Sequence, residues 1–215
     1  MREVLVIAGA SAVGKTVIVK ELLSSNADFS LIRSATTRAP RGDGHDGEYL
    51  YYTKEEFEKA RLSGEMIESM EYQGELYGTP KSELEECFER GKTPVLILDL
   101  QGVKALSEAD GIRTCAVYVY DEISKIENRL YQRYMTPPTD GGYTKFLGRK
   151  MKNREDYAAI PEYEPRFYAF VENGGTVEEC ARKIHSIFSD FIRGAERSED
   201  SLAIAARLKK MAEES

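Results

Sequence analysis

The chain has 215 residues, enough for one well-cored α/β domain with inserted flaps. Hydrophobic residues make up 41% and charged residues 31%, an ordinary balance for a soluble globular enzyme. The net charge of -7 argues against a general nucleic-acid binder, which carries a basic surface, so positive charge that meets phosphate must be gathered locally. No apolar run approaches the ~20 residues that span a bilayer. Met1-Arg2-Glu3 and the short apolar run after it lack the parts of a signal peptide. Cys87, Cys115 and Cys180 are odd in number and far apart, which fits buried thiols rather than disulfides or a metal knuckle. With only His45 and His185, a histidine-rich metal site is out of reach. The expectation is a cytoplasmic protein without membrane or nucleic-acid partners.

In chain order, short β-branched runs alternate with amphipathic helices, the pattern of a parallel sheet wrapped by helices. Val4-Leu5-Val6-Ile7 reads as a fully buried strand, followed by a helix over 15–25 with apolar Ile18, Leu22 and Leu23. Further strands are expected at 29–32, 94–98, 115–120 and 167–171. Helices are expected at 103–109, 123–135 and 177–192. The core is therefore a five-stranded, mainly parallel sheet. Two stretches fall outside it. Residues 34–80 carry alternating tyrosines (Tyr49, Tyr51), a Thr53–Glu56 capping box, the run 66–70 and a Gln73-Gly74 turn, which together read as a small mixed flap with hairpin strands. Residues 134–145, with Pro137-Pro138 and Gly141-Gly142, read as loop between two arginine-rich helices, suited to a lid. In the charged tail from Gly194, Leu202, Ala205, Leu208 and Lys209 fit one weakly amphipathic helix, either docked or solvated.

The strongest chemical signal is Gly9-Ala10-Ser11-Ala12-Val13-Gly14-Lys15-Thr16, which fits G-x-x-x-x-G-K-[ST] between a buried strand and a helix. Backbone N–H groups of such a loop wrap a β-phosphate, and the helix N-terminus favours its charge. Lys15 then reaches the β- and γ-phosphate oxygens, and the Thr16 hydroxyl is placed for Mg²⁺. Asp99 ends the apolar run at 94–98. It reads as an acidic strand tip that helps hold Mg²⁺, or as the cap of a helix beginning near Gly102. Arg38 and Arg41 stand three apart in a polar, proline-stiffened loop, where planar bidentate donors match a phosphate.

Taken together, Ser34-Ala-Thr-Thr-Arg-Ala-Pro-Arg41, then D-G-E-Y, E-M-I-E, G-E-L-Y-G-T-P and L-D-L-Q-G-V resemble, in order and spacing, the guanylate kinases. The resemblance runs from about Val4 to Ile192. It implies a P-loop core (1–33, 81–121, 158–192), a GMP-binding region (34–80), a lid (122–157) and a tail (193–215). It further implies that Ser34, Arg38, Arg41, Tyr49 and Tyr77 hold the GMP phosphate, and that Glu68 and Thr79 read guanine, with Asp99 close to nucleotide and metal. The chemistry agrees, since a carboxylate such as Glu68 accepts from both guanine N1–H and the exocyclic amine, a donor pair that adenine lacks. Arg129 and Arg133 share a helix face at i, i+4. With Arg149 they map onto lid arginines that contact ATP phosphates and the transferring group; on a solvated helix they would pair with Glu122 and Glu127 instead. Asn173 matches a family asparagine near the adenine, and also suits a turn.

The sequence departs from the family at three places. Ala12 stands where a glycine is usual, Ser69 where an aromatic is common, and the connection after Arg133 is longer than the family's short lid link. The implied activity is transfer of the γ-phosphate of ATP to GMP, Mg²⁺-dependent, in purine nucleotide metabolism, by a monomer or homodimer. The alternatives are a kinase of the same fold with another phosphorylated acceptor, and a non-catalytic guanylate-kinase-like binding module.

Overall fold

The computed structural model describes residues 2–40, 47, 49–72, 74–138 and 141–214. In chain order the strands are β1 (Arg2–Gly9), β2 (Phe29–Leu31), β3 (Ser34–Thr36), β4 (Tyr49–Tyr51), β5 (Met66–Tyr72), β6 (Glu75–Pro80), β7 (Thr93–Ile97), β8 (Ile112–Tyr120) and β9 (Ala169–Glu172). The helices are α1 (Lys15–Ser25), α2 (Lys54–Leu62), α3 (Lys81–Glu89), α4 (Leu100–Ser107), α5 (Ile123–Met135), α6 (Gly142–Tyr163), α7 (Val177–Ile192) and α8 (Ser201–Glu213). One sheet has the order β2-β7-β1-β8-β9, with β2 parallel to β7 and β8 parallel to β9. Its strands are the five apolar runs of the sequence. Val4 to Ala8 are all fully buried, as expected where both faces of a parallel sheet are covered. A second, four-stranded sheet has the order β4-β3-β6-β5.

Contacts divide the chain into two compact units, one formed by Met1–Val6 and Leu23–Thr114, the other by Ile7–Leu22 and Cys115–Ser215. In the first, the four-stranded sheet buries Ala35 and Met66 against Phe57 and Ala60 of α2, with Tyr52 and Leu76 packed alongside. Helix α2 starts where its sequence requires: the Thr53 hydroxyl accepts from the Glu56 N–H, and the Glu56 carboxylate accepts from the Thr53 N–H. Helix α4 begins at Leu100, three residues before the sequence-based start, because Asp99 is its N-cap and accepts from the Gly102 N–H at 2.8 Å.

In the second unit, Tyr118, Phe167 and Phe170 form an aromatic cluster that Tyr157 of α6 joins. The Tyr157 hydroxyl donates to the Asp121 carbonyl at 2.9 Å, fixing α6 to the end of β8. The connection expected over 134–145 is shorter: α5 runs to Met135 and α6 starts at Gly142, with Gly141 left-handed just before it. A left-handed glycine can start a helix without a side-chain cap, so the Gly-Gly pair reads as loop although its second member is helical.

The tail is a docked helix. Along α8, Ala205 and Leu208 are buried against the unit while Leu202 is 68% exposed. Arg197 pairs with the buried Glu164, and Arg207 lies over the Tyr120 ring and near Glu172. Truncating a buried leucine removes its transfer free energy and leaves a cavity. Leu208→Ala is therefore expected to lower the unfolding free energy by about 2–5 kcal/mol. Leu202→Ala should change it by less than ~0.5 kcal/mol. The urea midpoint at unchanged slope reads the difference.

Candidate active site

The second unit holds the phosphate loop, Gly9 to Thr16, between β1 and α1. Both motif glycines are required by geometry. A Cβ on Gly9 (φ +148°) would lie 2.2 Å from the Val119 carbonyl oxygen, and one on Gly14 (φ +108°) 2.7 Å from Asn173 Nδ2. Ala12, at φ +65°, is a non-glycine residue in the left-handed region. Lys15 Nζ donates to the Gly9 and Ala10 carbonyls at 2.6 and 2.9 Å, so the cation sits over its own loop. Thr16 occupies the first turn of α1.

Two asparagines hold the loop from behind. Asn173, after β9, donates from Nδ2 to the Val13 carbonyl at 2.7 Å; its side chain serves the loop backbone. Asn153 of α6, 4% exposed, accepts from the Ser11 N–H at 2.7 Å and donates to the Ser11 carbonyl at 3.0 Å. One turn earlier, Arg149 donates to Ser11 Oγ at 3.2 Å, which brings this sequence-predicted arginine to the phosphate loop. Arg129 pairs at 2.8 Å with the fully buried Asp121, rather than with Glu122 or Glu127. Glu127 instead pairs with Lys150 and Arg154 of α6. Arg133 is exposed in the last turn of α5. Asn153 carries no motif. Its only trace in the sequence is its i+4 spacing from Arg149, which puts the two on one helix face.

The first unit gathers the flap residues. Strand β3 pairs with β4 so that Ser34 faces Tyr49, and with β6 so that Thr36 faces Tyr77. Glu68 faces Thr79 on the β5–β6 pair. Since side chains alternate along strands, Ser34, Thr36, Tyr49, Tyr77, Thr79 and Glu68 project from one face, and Ala35, Leu76 and Gly78 from the core face. Glu68 reaches its face through a β-bulge. Between Met66, opposite Pro80, and Glu68, opposite Thr79, β5 advances two residues while β6 advances one. Were β5 to run through Ile67 without the bulge, Glu68 would share the core face of Met66.

Threonines fix the arginine loop. Thr37 Oγ1 donates to Glu75 at 2.7 Å and accepts from the Leu76 N–H at 2.9 Å, while Thr36 Oγ1 accepts from the Arg38 N–H at 3.2 Å. The Arg38 guanidinium lies over the Tyr49 ring, 5.1 Å from its centroid, and donates to the Ala39 carbonyl at 3.2 Å, so the planar fork is supported by cation–π contact. Arg41 lies outside the described residues.

The Thr79 hydroxyl, itself 1% exposed, donates to Glu68 Oε1 at 2.7 Å. Burial pushes the Glu68 carboxyl up to about 7; the Thr79 hydrogen bond opposes this, and the charge of Asp99 adds to it. Glu68 and Ser69 with Gln101, Lys104 and Ala105 of α4 and its C-cap Glu108 line a cleft of about 280 Å³. Asp99 spends one carboxylate oxygen on the α4 cap. Among the described residues no group of three His, Cys, Asp or Glu side chains is placed to hold a metal. Mg²⁺ does not require one, because it takes one or two protein oxygens and fills its remaining positions with phosphate and water oxygens. The Thr16 hydroxyl and a carboxylate such as Asp99 are donors of that kind.

Comparison with known proteins agrees with this chemistry. Residues 1–190 match the guanylate kinase family. A guanylate kinase of Clostridium perfringens is 32% identical over 187 residues, 85% of this chain and 81% of that protein. The Clostridium tetani guanylate kinase is 30% identical over 202 residues, 94% and 92% of the two chains. The Clostridioides difficile guanylate kinase is 36% identical over 130 residues, a match spanning 63% of that protein's length. The crystal structure of guanylate kinase from Anaplasma phagocytophilum shares the fold, with a TM-score of 0.61 at 21% identity, covering 88% of this chain and 86% of that one. Neither a different phosphorylated acceptor nor a non-catalytic module is favoured by these matches. A phosphate loop with both its glycines and its lysine, a carboxylate set beside a threonine on a tyrosine-lined sheet face, and a family match over most of the sequence lead to one conclusion: the chain belongs to the guanylate kinases, the enzymes that pass a phosphoryl group from ATP to GMP.

Proposed function

We propose that the chain performs this transfer with the following division of labour, cytoplasmic and within purine nucleotide metabolism. The loop Gly9–Thr16 holds the β- and γ-phosphates of ATP through its N–H groups, and Asn173 sits at the adenine side. Lys15 exchanges the Gly9 and Ala10 carbonyls for phosphate oxygens. Arg38, Arg129, Arg133 and Arg149 supply positive charge to the phosphates in transfer. Thr16 and Asp99 are the oxygens that would hold Mg²⁺, which when bound neutralises charge on the β- and γ-phosphates. Ser34, Arg38, Arg41, Tyr49 and Tyr77 hold the GMP phosphate, and Glu68 with Thr79 and Asp99 reads the guanine.

The observation that carries this reading is the Glu68–Thr79 pair, set on the same sheet face as Ser34, Tyr49 and Tyr77. The Thr79 hydroxyl fixes one Glu68 oxygen, and the carboxylate is left to accept from N1–H and the amino group of a guanine. Adenine offers an unprotonated N1 there, which would leave a half-buried carboxylate unmatched. The acceptor phosphate has a second pKa near 6, so at neutral pH its attacking oxygen already carries no proton and no general base is needed. The work left to the protein is positioning, charge stabilisation and exclusion of water.

ADP release with ATP and Mg²⁺ should appear with GMP and be absent with AMP, UMP and CMP; equal turnover with AMP would remove Glu68 from base reading. Lys15→Ala should lower kcat by roughly 10²–10³, the usual cost of removing one transition-state donor. A further expectation concerns pH. The Glu68 carboxyl titrates near 7, raised by burial, and only its ionised form can accept from both guanine donors while Thr79 holds one oxygen. As pH falls below 7 the protonated form accumulates, so KM for GMP should rise by up to ~tenfold per unit, with a plateau above. The nucleotide's own phosphate titrates in every variant, so the slope lost in Glu68→Gln isolates the glutamate. Identical pH profiles for the two proteins would sink the assignment.

A further inference from the structure

Ala12 is the one non-glycine residue among those described with a left-handed backbone, φ +65°, and it lies in the middle of the phosphate loop. A Cβ there crowds the following carbonyl, a penalty that glycine escapes. Such a residue persists only where its surroundings over-determine it. Here the residues on both sides of Ala12 are gripped by asparagine amides. On one side Asn173 Nδ2 donates to the Val13 carbonyl at 2.7 Å. On the other, Asn153 makes a two-point grip, accepting from the Ser11 N–H and donating to the Ser11 carbonyl. A donor and an acceptor on one peptide residue allow only one orientation of the amide, so the ring of bonds is geometrically specific. At 4% exposure, Asn153 has little competition from water. Arg149, on the same face of α6, takes the Ser11 hydroxyl as well.

We propose that Asn153 is a positioning residue for the phosphate loop: its side-chain amide clamps Ser11 and, with Asn173 on Val13, holds Ala12 in its left-handed conformation so that the loop N–H groups are presented to the ATP phosphates. The inference rests on the reading of this loop as the ATP site and adds a residue to it. The clamp acts through the backbone and touches no substrate. Its importance depends on Ala12, because a glycine at that position holds the same conformation with no Cβ to resist it. Asn153 and position 12 are therefore energetically coupled, although their side chains have different tasks.

The test compares Asn153→Ala alone with Asn153→Ala in the presence of Ala12→Gly, each against its own parent, with KM measured separately for ATP and GMP. Asn153→Ala alone is expected to raise KM for ATP roughly tenfold, what the loss of one or two hydrogen bonds amounts to. KM for GMP should stay within ~twofold. With Ala12→Gly present, the same substitution should raise KM for ATP less than ~threefold, the shortfall measuring the coupling. Equal effects in the two backgrounds, or a parallel rise in KM for GMP, would overturn the proposal and leave Asn153 a packing residue. If Asn153→Ala does not fold, the near-isosteric Asn153→Asp, which loses the donation to the Ser11 carbonyl, carries the same comparison with the same expected and overturning outcomes. Absence of ATP-dependent turnover in the unsubstituted protein would overturn the ATP reading and this inference with it; additivity with turnover intact overturns this inference alone.

Discussion

An anion held by backbone amides must find those amides already pointing at it, and a chain bent that way has to be held from outside the bend. In this protein that constraint organises the second unit. Gly9 lies against the Val119 carbonyl so closely that no Cβ fits, which fixes where the loop leaves β1. Gly14 turns under the side chain of Asn173, and Asn153 and Arg149 reach Ser11 from α6. Helix α6 is in turn fixed through Tyr157 to the end of β8 and is covered by α8. The tail beyond the region of family match is thus part of the scaffold behind the loop.

A different rule governs the first unit. The guanine edge is read by direction, so a carboxylate must be both half-buried and correctly aimed. Burial, with the charge of Asp99, pushes Glu68 up to about 7 even though the Thr79 hydroxyl favours the ionised form. Two threonine hydroxyls, at 36 and 37, hold the backbone from which Arg38 extends, and the Tyr49 ring supports its guanidinium. Glu68 and Arg38 each have a small polar or aromatic neighbour that removes freedom before any ligand arrives, which lowers the ordering cost of binding.

Much of this was legible in the residues. The five core strands read as continuous apolar runs because parallel strands are buried on both faces, and α1, α5 and α7 follow from periodicity. The phosphate loop is legible because its spacing is set by the phosphate itself. The start of α4 lies upstream of its apolar pattern because the Asp99 carboxylate closes the first turn, and an acidic strand tip suits a metal ligand and a cap equally in sequence. The start of α6 is hidden because a glycine pair signals loop even where its second member is helical. Asn153 was invisible for a different reason: a clamp on backbone atoms follows from where α6 passes, and no local spacing encodes that. The aim of Glu68 was equally hidden, since counting alternate residues along β5 from Met66 puts it on the wrong face.

That last point has an evolutionary side. The bulge at Ile67 makes the aim of Glu68 a matter of local backbone shape, not only of which residue it is. Deleting Ile67 would leave Met66 and Glu68 as neighbours on opposite faces, still opposite Pro80 and Thr79, whereas straightening the bulge with Ile67 in place would turn the carboxylate into the packing around Phe57. The strand can therefore lose a residue here without moving the carboxylate, while a substitution that disfavours the bulge re-aims it without touching it. Loss of this aim is therefore to be sought in substitutions that straighten β5 around Ile67 as well as in those that exchange the glutamate.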